Sequence, residues 1–169
     1  MKLSPLFWPI KFKNNKIYIL DETRLPEKLV YIKAKSYHEA AKAIKDMRTR
    51  AVGQVILVMY VFLMVIRQNK RRKNLLPILS KVAQVLNATR PTLSFRFLTE
   101  MVLAWAKAGQ PLEKNILGFL EALKNKRIQQ AEQMSKYLKD GDSILTHCNI
   151  SGLLPLIAQL CQQQNKKIS

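Results

Sequence analysis

The hydrophobic pattern changes period three times along the chain. Residues 11–20 read KFKNNKIYIL, two short runs on either side of Asn14-Asn15. Asparagines tolerate the left-handed backbone of a tight turn, so this stretch predicts a small β-hairpin. Alternation places Ile17 and Ile19 on one face and Tyr18 and Leu20 on the other. Residues 21–26 (DETRLP) break the strand, and residues 29–34 are a candidate for one more. The period then becomes helical. Tyr37, Ala40, Ala41, Ile44 and Met47 share one face, and Ser36 with Glu39 three positions on forms a capping box. Residues 51–66 (AVGQVILVMYVFLMVI) are apolar on every side. A basic loop at residues 70–74 follows, then a helix over residues 75–86 with Leu75, Leu79, Val82 and Leu86 in register. Thr89-Arg90-Pro91-Thr92 is a breaker, with Thr92 placed to cap a helix over residues 93–108 that Gly109 closes. Pro111 opens a long amphipathic helix reaching Leu138, and Lys139-Asp140-Gly141-Asp142 ends it.

The last stretch reads differently. Residues 143–146 (SILT) predict a short strand, with His147, Cys148 and Asn149 at its carboxyl end. Ser151-Gly152 marks a turn, and residues 153–164 a helix with Pro155 in its first turn. Strand, loop, helix is the opening unit of a parallel α/β sheet, and Lys167-Ile168 reads as the start of the next strand. The expected fold is therefore mainly α. A small N-terminal β-hairpin and a helical bundle precede the first strand–helix unit of a truncated Rossmann-like α/β domain. In chain order the segments are 1–35, 36–140 and 141–169.

Composition narrows the classes. The chain has 169 residues, 48% of them hydrophobic, enough to bury a core and too apolar for wholesale disorder. Two cysteines, Cys148 and Cys161, are too few for a disulfide framework or a four-thiolate zinc site. Twenty-nine Lys and Arg against 11 Asp and Glu leave a formal charge of +18, which favours anionic partners without choosing among them. Residues 1–12 carry Pro5 and Pro9 and lack the apolar region of a secretory signal. The apolar run 51–66 contains Gly53 and Gln54 and falls short of the roughly 20 residues a membrane span needs. It predicts a buried core helix, and the chain is expected in the cytoplasm rather than at a membrane.

Three residues carry candidate chemistry by position. Ligand sites in open α/β sheets form at strand carboxyl ends, where Cys148 stands, and a following helix N-terminus favours thiolate. Cys161 lies mid-helix among apolar positions and reads as core. Arg50 precedes the apolar helix and Arg90 precedes Pro91, junctions at which Arg and free amide groups together bind phosphate. Neither histidine has a partner at metal-ligand spacing, and there is no P-loop. Aromatic residues are not interleaved with the lysines, so a base-stacking platform has little support and nucleic acid stays a secondary candidate.

Taken together the segments resemble the methylthioribose-1-phosphate isomerases. The stretch Asp21-Glu22-Thr23-Arg24-Leu25-Pro26 is similar to the family's D-Q-T-x-L-P. Ala43-Ile44-Lys45 and Met47-Arg48-Thr49-Arg50 resemble its A-I-x-x-M-x-V-R-G-A-P, Thr89-Arg90-Pro91-Thr92 its T-R-P-T, and residues 144–149 its I-L-T-H-C-N. The same superfamily holds ribose-1,5-bisphosphate isomerases and regulatory subunits of the initiation guanine-nucleotide exchange factor 2B. The resemblance implies an aldose–ketose isomerisation of a sugar 1-phosphate in methionine salvage, with no cofactor. It implies Cys148 as the catalytic residue and Arg50, Arg90 and Asn149 as substrate-binding residues. It also implies a homo-oligomer, or a partner that supplies a second half, because the family's catalytic Asp belongs to that half. On this reading the chain is inactive alone. Two departures stand out: Ala51 replaces the first glycine after the arginine, and no glycine-rich segment follows Asn149. The alternative is a non-enzymatic interaction module of the initiation-factor kind, binding protein or RNA.

Overall fold

A computed structural model describes residues 3–90, 94–148 and 150–169. Strands β1 (Ile10–Lys13), β2 (Lys16–Leu20) and β3 (Tyr31–Ala34) form an antiparallel sheet in that order. Asn14 and Asn15 both adopt positive φ (51° and 54°), the backbone of a hairpin turn whose twist matches its strands. The register pairs Ile10 with Ile19 and Ile17 with Ala34, and all four are buried. Helices follow: α1 (Tyr37–Lys45), α2 (Ala51–Gln68), α3 (Leu76–Asn87), α4 (Arg96–Lys107), α5 (Leu112–Tyr137) and α6 (Leu153–Gln163). The chain is thus mainly helical with one small sheet, as the pattern predicts.

The chain forms two compact units. The larger one is Pro9–Leu120. Its core is α2, buried from Ile56 to Val65 at nearly every position between β1, β2, α1, α3 and α4. A helix apolar all round needs neighbours all round, and these five elements provide them. The helix is long and apolar enough to cross a membrane by length and composition, and 67% of it is buried within the protein. Burying one such large side chain contributes about 1.5–3 kcal/mol. Ser36 caps α1 by accepting from the Glu39 amide (3.2 Å), while the Glu39 carboxylate accepts from Lys35 rather than from Ser36 itself (2.9 Å). Met47, expected on the α1 face, lies beyond the helix at φ 55°. Helix α4 starts at Arg96, three residues later than the pattern predicts, where the Ser94 hydroxyl accepts from the Arg96 amide (3.2 Å). The expected Thr92 cap and the Pro91 and Leu93 positions lie outside the described residues.

The smaller unit joins Met1–Trp8 to Glu121–Ser169. Phe7, Ala131, Leu138, Leu153, Leu156, Ile157 and Cys161 form its core, so Cys161 is the structural thiol its position suggested. Residues 143–146 do not form a strand, contrary to expectation. The Ser169 amide donates to the Asp142 carbonyl (3.1 Å) and the Ile144 amide to the Ser169 carbonyl (2.6 Å), the bonds of a parallel pair around a single residue. Among the described residues nothing pairs with the backbone of Leu145 or Thr146. One bridging residue does not make a ladder, and a parallel strand needs neighbours along its length.

Candidate functional site

The α1–α2 connection, residues 47–50, is held by the Asp21-Glu22-Thr23 turn. Asp21 caps a short 3₁₀ turn (Glu22–Arg24), accepting from the Thr23 amide (3.2 Å) and hydroxyl (2.6 Å). Its other carboxylate oxygen accepts from Arg48 Nη1 (2.9 Å). The Glu22 amide donates to the Arg48 carbonyl (2.8 Å). One Glu22 oxygen accepts from both the Thr49 hydroxyl and the Arg50 amide (2.9 Å each). Two acidic side chains therefore fix the loop that delivers Arg50. Burial alone raises the Asp21 pKa, but the hydrogen bonds from Thr23 and the charge of Arg48 outweigh it, and the carboxyl sits below its usual range. Asp21 also lines a cavity of about 410 Å³ with Arg24, Lys33, Lys42, Asp46 and Arg48.

Arg50 is the N-cap residue of α2 and its side chain is exposed. The next residue, Ala51, has φ 41°, a left-handed backbone for which a glycine is better suited. Gly53 leaves no room for a side chain: a Cβ there would lie 2.1 Å from Thr49 Oγ1 and 2.9 Å from Pro9 Cγ. Gln54 is fully buried; its amide nitrogen donates to the Thr49 carbonyl (2.8 Å) and reaches Met47 Sδ (3.8 Å). Its Oε1 is buried without a partner among the described residues. Arg90, half-buried, donates from Nη1 to the same Met47 sulfur. Arg90 and the Arg50 loop are thus brought together through Met47 and Gln54, within the larger unit.

Cys148 belongs to the smaller unit and is exposed. Its carbonyl accepts from the Thr146 hydroxyl, and its amide donates back to that oxygen (3.3 Å). As expected, a turn at Ser151-Gly152 and then a helix follow it. A turn with three left-handed residues, Ile150 (φ 48°), Ser151 (φ 52°) and Gly152 (φ 75°), separates it from α6. Asn149 lies outside the described residues. Beside the loop a cavity of about 450 Å³ is lined by Gln130, Met134, Leu145, His147, Ile150 and Leu154 among others. Arg127, not singled out by sequence, is only 5% exposed and donates from Nη2 to the Ser151 carbonyl (2.8 Å). Among the described residues no group of three or more His, Cys, Asp or Glu is placed to hold a metal ion.

The model of the Initiation factor 2 subunit family matches residues 50–169, from the Arg50 cap to the end of the chain. The chain belongs to this family. Several family relatives are named methylthioribose-1-phosphate isomerase. One from Desulforudis audaxviator is 35% identical over 168 residues, covering 90% of this chain and 46% of its own length. One from Aquifex aeolicus is 29% identical, covering 90% and 32%. The chain spans about half the length, or less, of these curated relatives. Two solved structures share the fold. The 5-methylthioribose 1-phosphate isomerase from Pyrococcus horikoshii OT3 aligns with TM-score 0.75 at 14% identity, over 98% of this chain and 53% of that one. Translation initiation factor eIF-2B, subunit delta, from A. fulgidus aligns with TM-score 0.74 at 23% identity, over 95% and 52%.

Proposed function

We propose that this chain is a sugar-phosphate aldose–ketose isomerase of the methylthioribose-1-phosphate type, acting in methionine salvage as one half of the catalytic unit. The observation that carries the reading is the 35% identity to a relative of that name across 90% of this chain. In this reading Arg50 and Arg90 bind the substrate phosphate, Asn149 binds the sugar, and Cys148 exchanges a proton with the reacting carbon. Arg90 contacts Met47 in the loop that ends at Arg50, and two guanidiniums suit a doubly charged phosphate. Isomerisation needs an acid partner as well as a base, and acid–base groups contribute roughly 10²–10⁴-fold each. The chain spans about half the length of the relatives of that name, and the second half of such a protein, joined or separate, is the source we propose for that group. Exposed Leu145, Ile150 and Met134 around one cavity support an unpartnered apolar surface for it.

The second reading is a non-enzymatic module binding protein or RNA. The +18 charge and the likeness in fold to the A. fulgidus subunit favour it. An NMR titration separates the two. Methylthioribose 1-phosphate should saturate and shift the Arg50 and Arg90 amides, and Arg50→Met or Arg90→Met should weaken it about tenfold, the loss of one charge-assisted contact. No saturation with sugar phosphate, together with RNA affinity that falls steeply with salt, would replace the first reading by the second.

A further inference from the structure

We infer that Arg127 is a positioning residue for the Cys148 loop, fixing the left-handed turn that follows the thiol. The inference rests on the reading of Cys148 as a catalytic residue. Arg127 projects from α5 within the smaller unit and is 5% exposed. A guanidinium buried in that way is costly unless something compensates it. No carboxylate does so among the described residues: its partners are the Ser151 carbonyl (2.8 Å), the Ile150 carbonyl (3.5 Å) and the face of Phe7, 4.7 Å from the ring centroid. Its Nε is buried without a partner among the described residues. Burial pushes the group below its ordinary pKa, the mark of a charge held in place against its solvation.

What it holds is a strained segment. Ile150 is β-branched, and a positive φ there is a strained outlier. Ser151 and Gly152 continue in the same region. Three consecutive left-handed residues relax to other conformations unless surrounding contacts over-determine them. Two contacts do so here. Arg127 reaches two of the turn's carbonyls, and Gly152 lies against the Phe7 backbone so closely that a Cβ would fall 2.6 Å from the Phe7 amide nitrogen. Phe7 therefore supports the guanidinium with its ring and the turn with its backbone. Cys148 is two residues before Ile150, so the direction of its side chain is set by this turn. A leucine would fill the α5 position without burying a charge but would hold neither carbonyl, and a lysine would bury a more strongly hydrated ammonium.

The test uses the full chain and reads the loop directly. Hydrogen exchange at the amides of residues 150–152 and iodoacetamide alkylation of Cys148 are followed by mass spectrometry, with buried Cys161 as internal control. In Arg127→Met, exchange at the turn should rise about tenfold. The Cys148 alkylation rate should change by about fivefold, with α2 exchange and Cys161 labelling unchanged. Arg127→Lys, which keeps the charge but not the planar guanidinium, should recover only part of either. Turn exchange and alkylation unchanged in Arg127→Met would overturn the inference, as would a rise spread evenly over α5 and α6. If Arg127→Met does not fold, Phe7→Leu takes its place. It should raise turn exchange about threefold, and no rise would overturn the inference. None of these readouts is turnover, so failed isomerisation with the coupling intact counts against the isomerase reading alone.

Discussion

The two compact units handle apolar surface in opposite ways. In Pro9–Leu120 the most hydrophobic helix is surrounded, and the exposed large residues are scattered: Leu29 and Val30 just before β3, Phe97 on α4 and Leu117 on α5. In Met1–Trp8 with Glu121–Ser169 the core is small, and Leu145, Ile150 and Met134 are exposed around one cavity. The larger unit has an internal partner for every apolar face of α2. The smaller unit has one bridged residue where a sheet would be, and its strand-like segment is open. Hydrophobic pattern becomes core only where the chain also supplies what covers it.

The sharpest way to break that contrast is to remove a side chain from each unit. Phe62→Ala in α2 should cost about 3–5 kcal/mol in denaturant unfolding, through lost burial and an unfilled cavity. Gly152→Ala puts a Cβ against the Phe7 backbone at positive φ and should cost about 1–3 kcal/mol in the smaller unit. Asp21 gives a pH-dependent test of the larger one. Its folded pKa is depressed below the unfolded 3.8, so the stability it adds is present above pH 4 and is lost as pH falls through the folded value. Urea titrations between pH 5 and 2 should show this slope, and Asp21→Asn should flatten it at a cost of about 1–3 kcal/mol at neutral pH. The smallest effect belongs to Leu145→Ala, which should stay within about 0.5 kcal/mol because the side chain is already in solvent. A larger loss there would mean the open surface is covered in solution.

The elements that could be read from the sequence were those whose signals are local. Asn14-Asn15 encodes the hairpin, Ser36 caps α1, Gly109 adopts the positive φ (63°) that closes α4, and residues 51–66 demand burial on all sides. Elements set by distant contacts were not legible. Asp21-Glu22-Thr23 reads as a strand breaker; its bonds to Arg48, Thr49 and Arg50 cross 25–28 positions and exist only in the folded chain. Arg127 is one basic residue among several on α5, and only the fold shows that it faces inward. The strand expected at residues 143–146 has a strand's pattern but not its neighbours. Of the turn after Cys148, Gly152 alone carries a left-handed signal, while Ile150 argues against one. Arg50, Arg90 and Cys148 were singled out from their places at element junctions and from the motifs around them.

The most direct test of the account is turnover of methylthioribose 1-phosphate. The purified chain is assayed alone and mixed with a separately produced second half of the Desulforudis audaxviator relative. The account predicts no product from the chain alone and product from the mixture, falling at least about 10²-fold when Cys148→Ser replaces the parent chain. Product from the chain alone, or a mixture indifferent to Cys148→Ser, would contradict it.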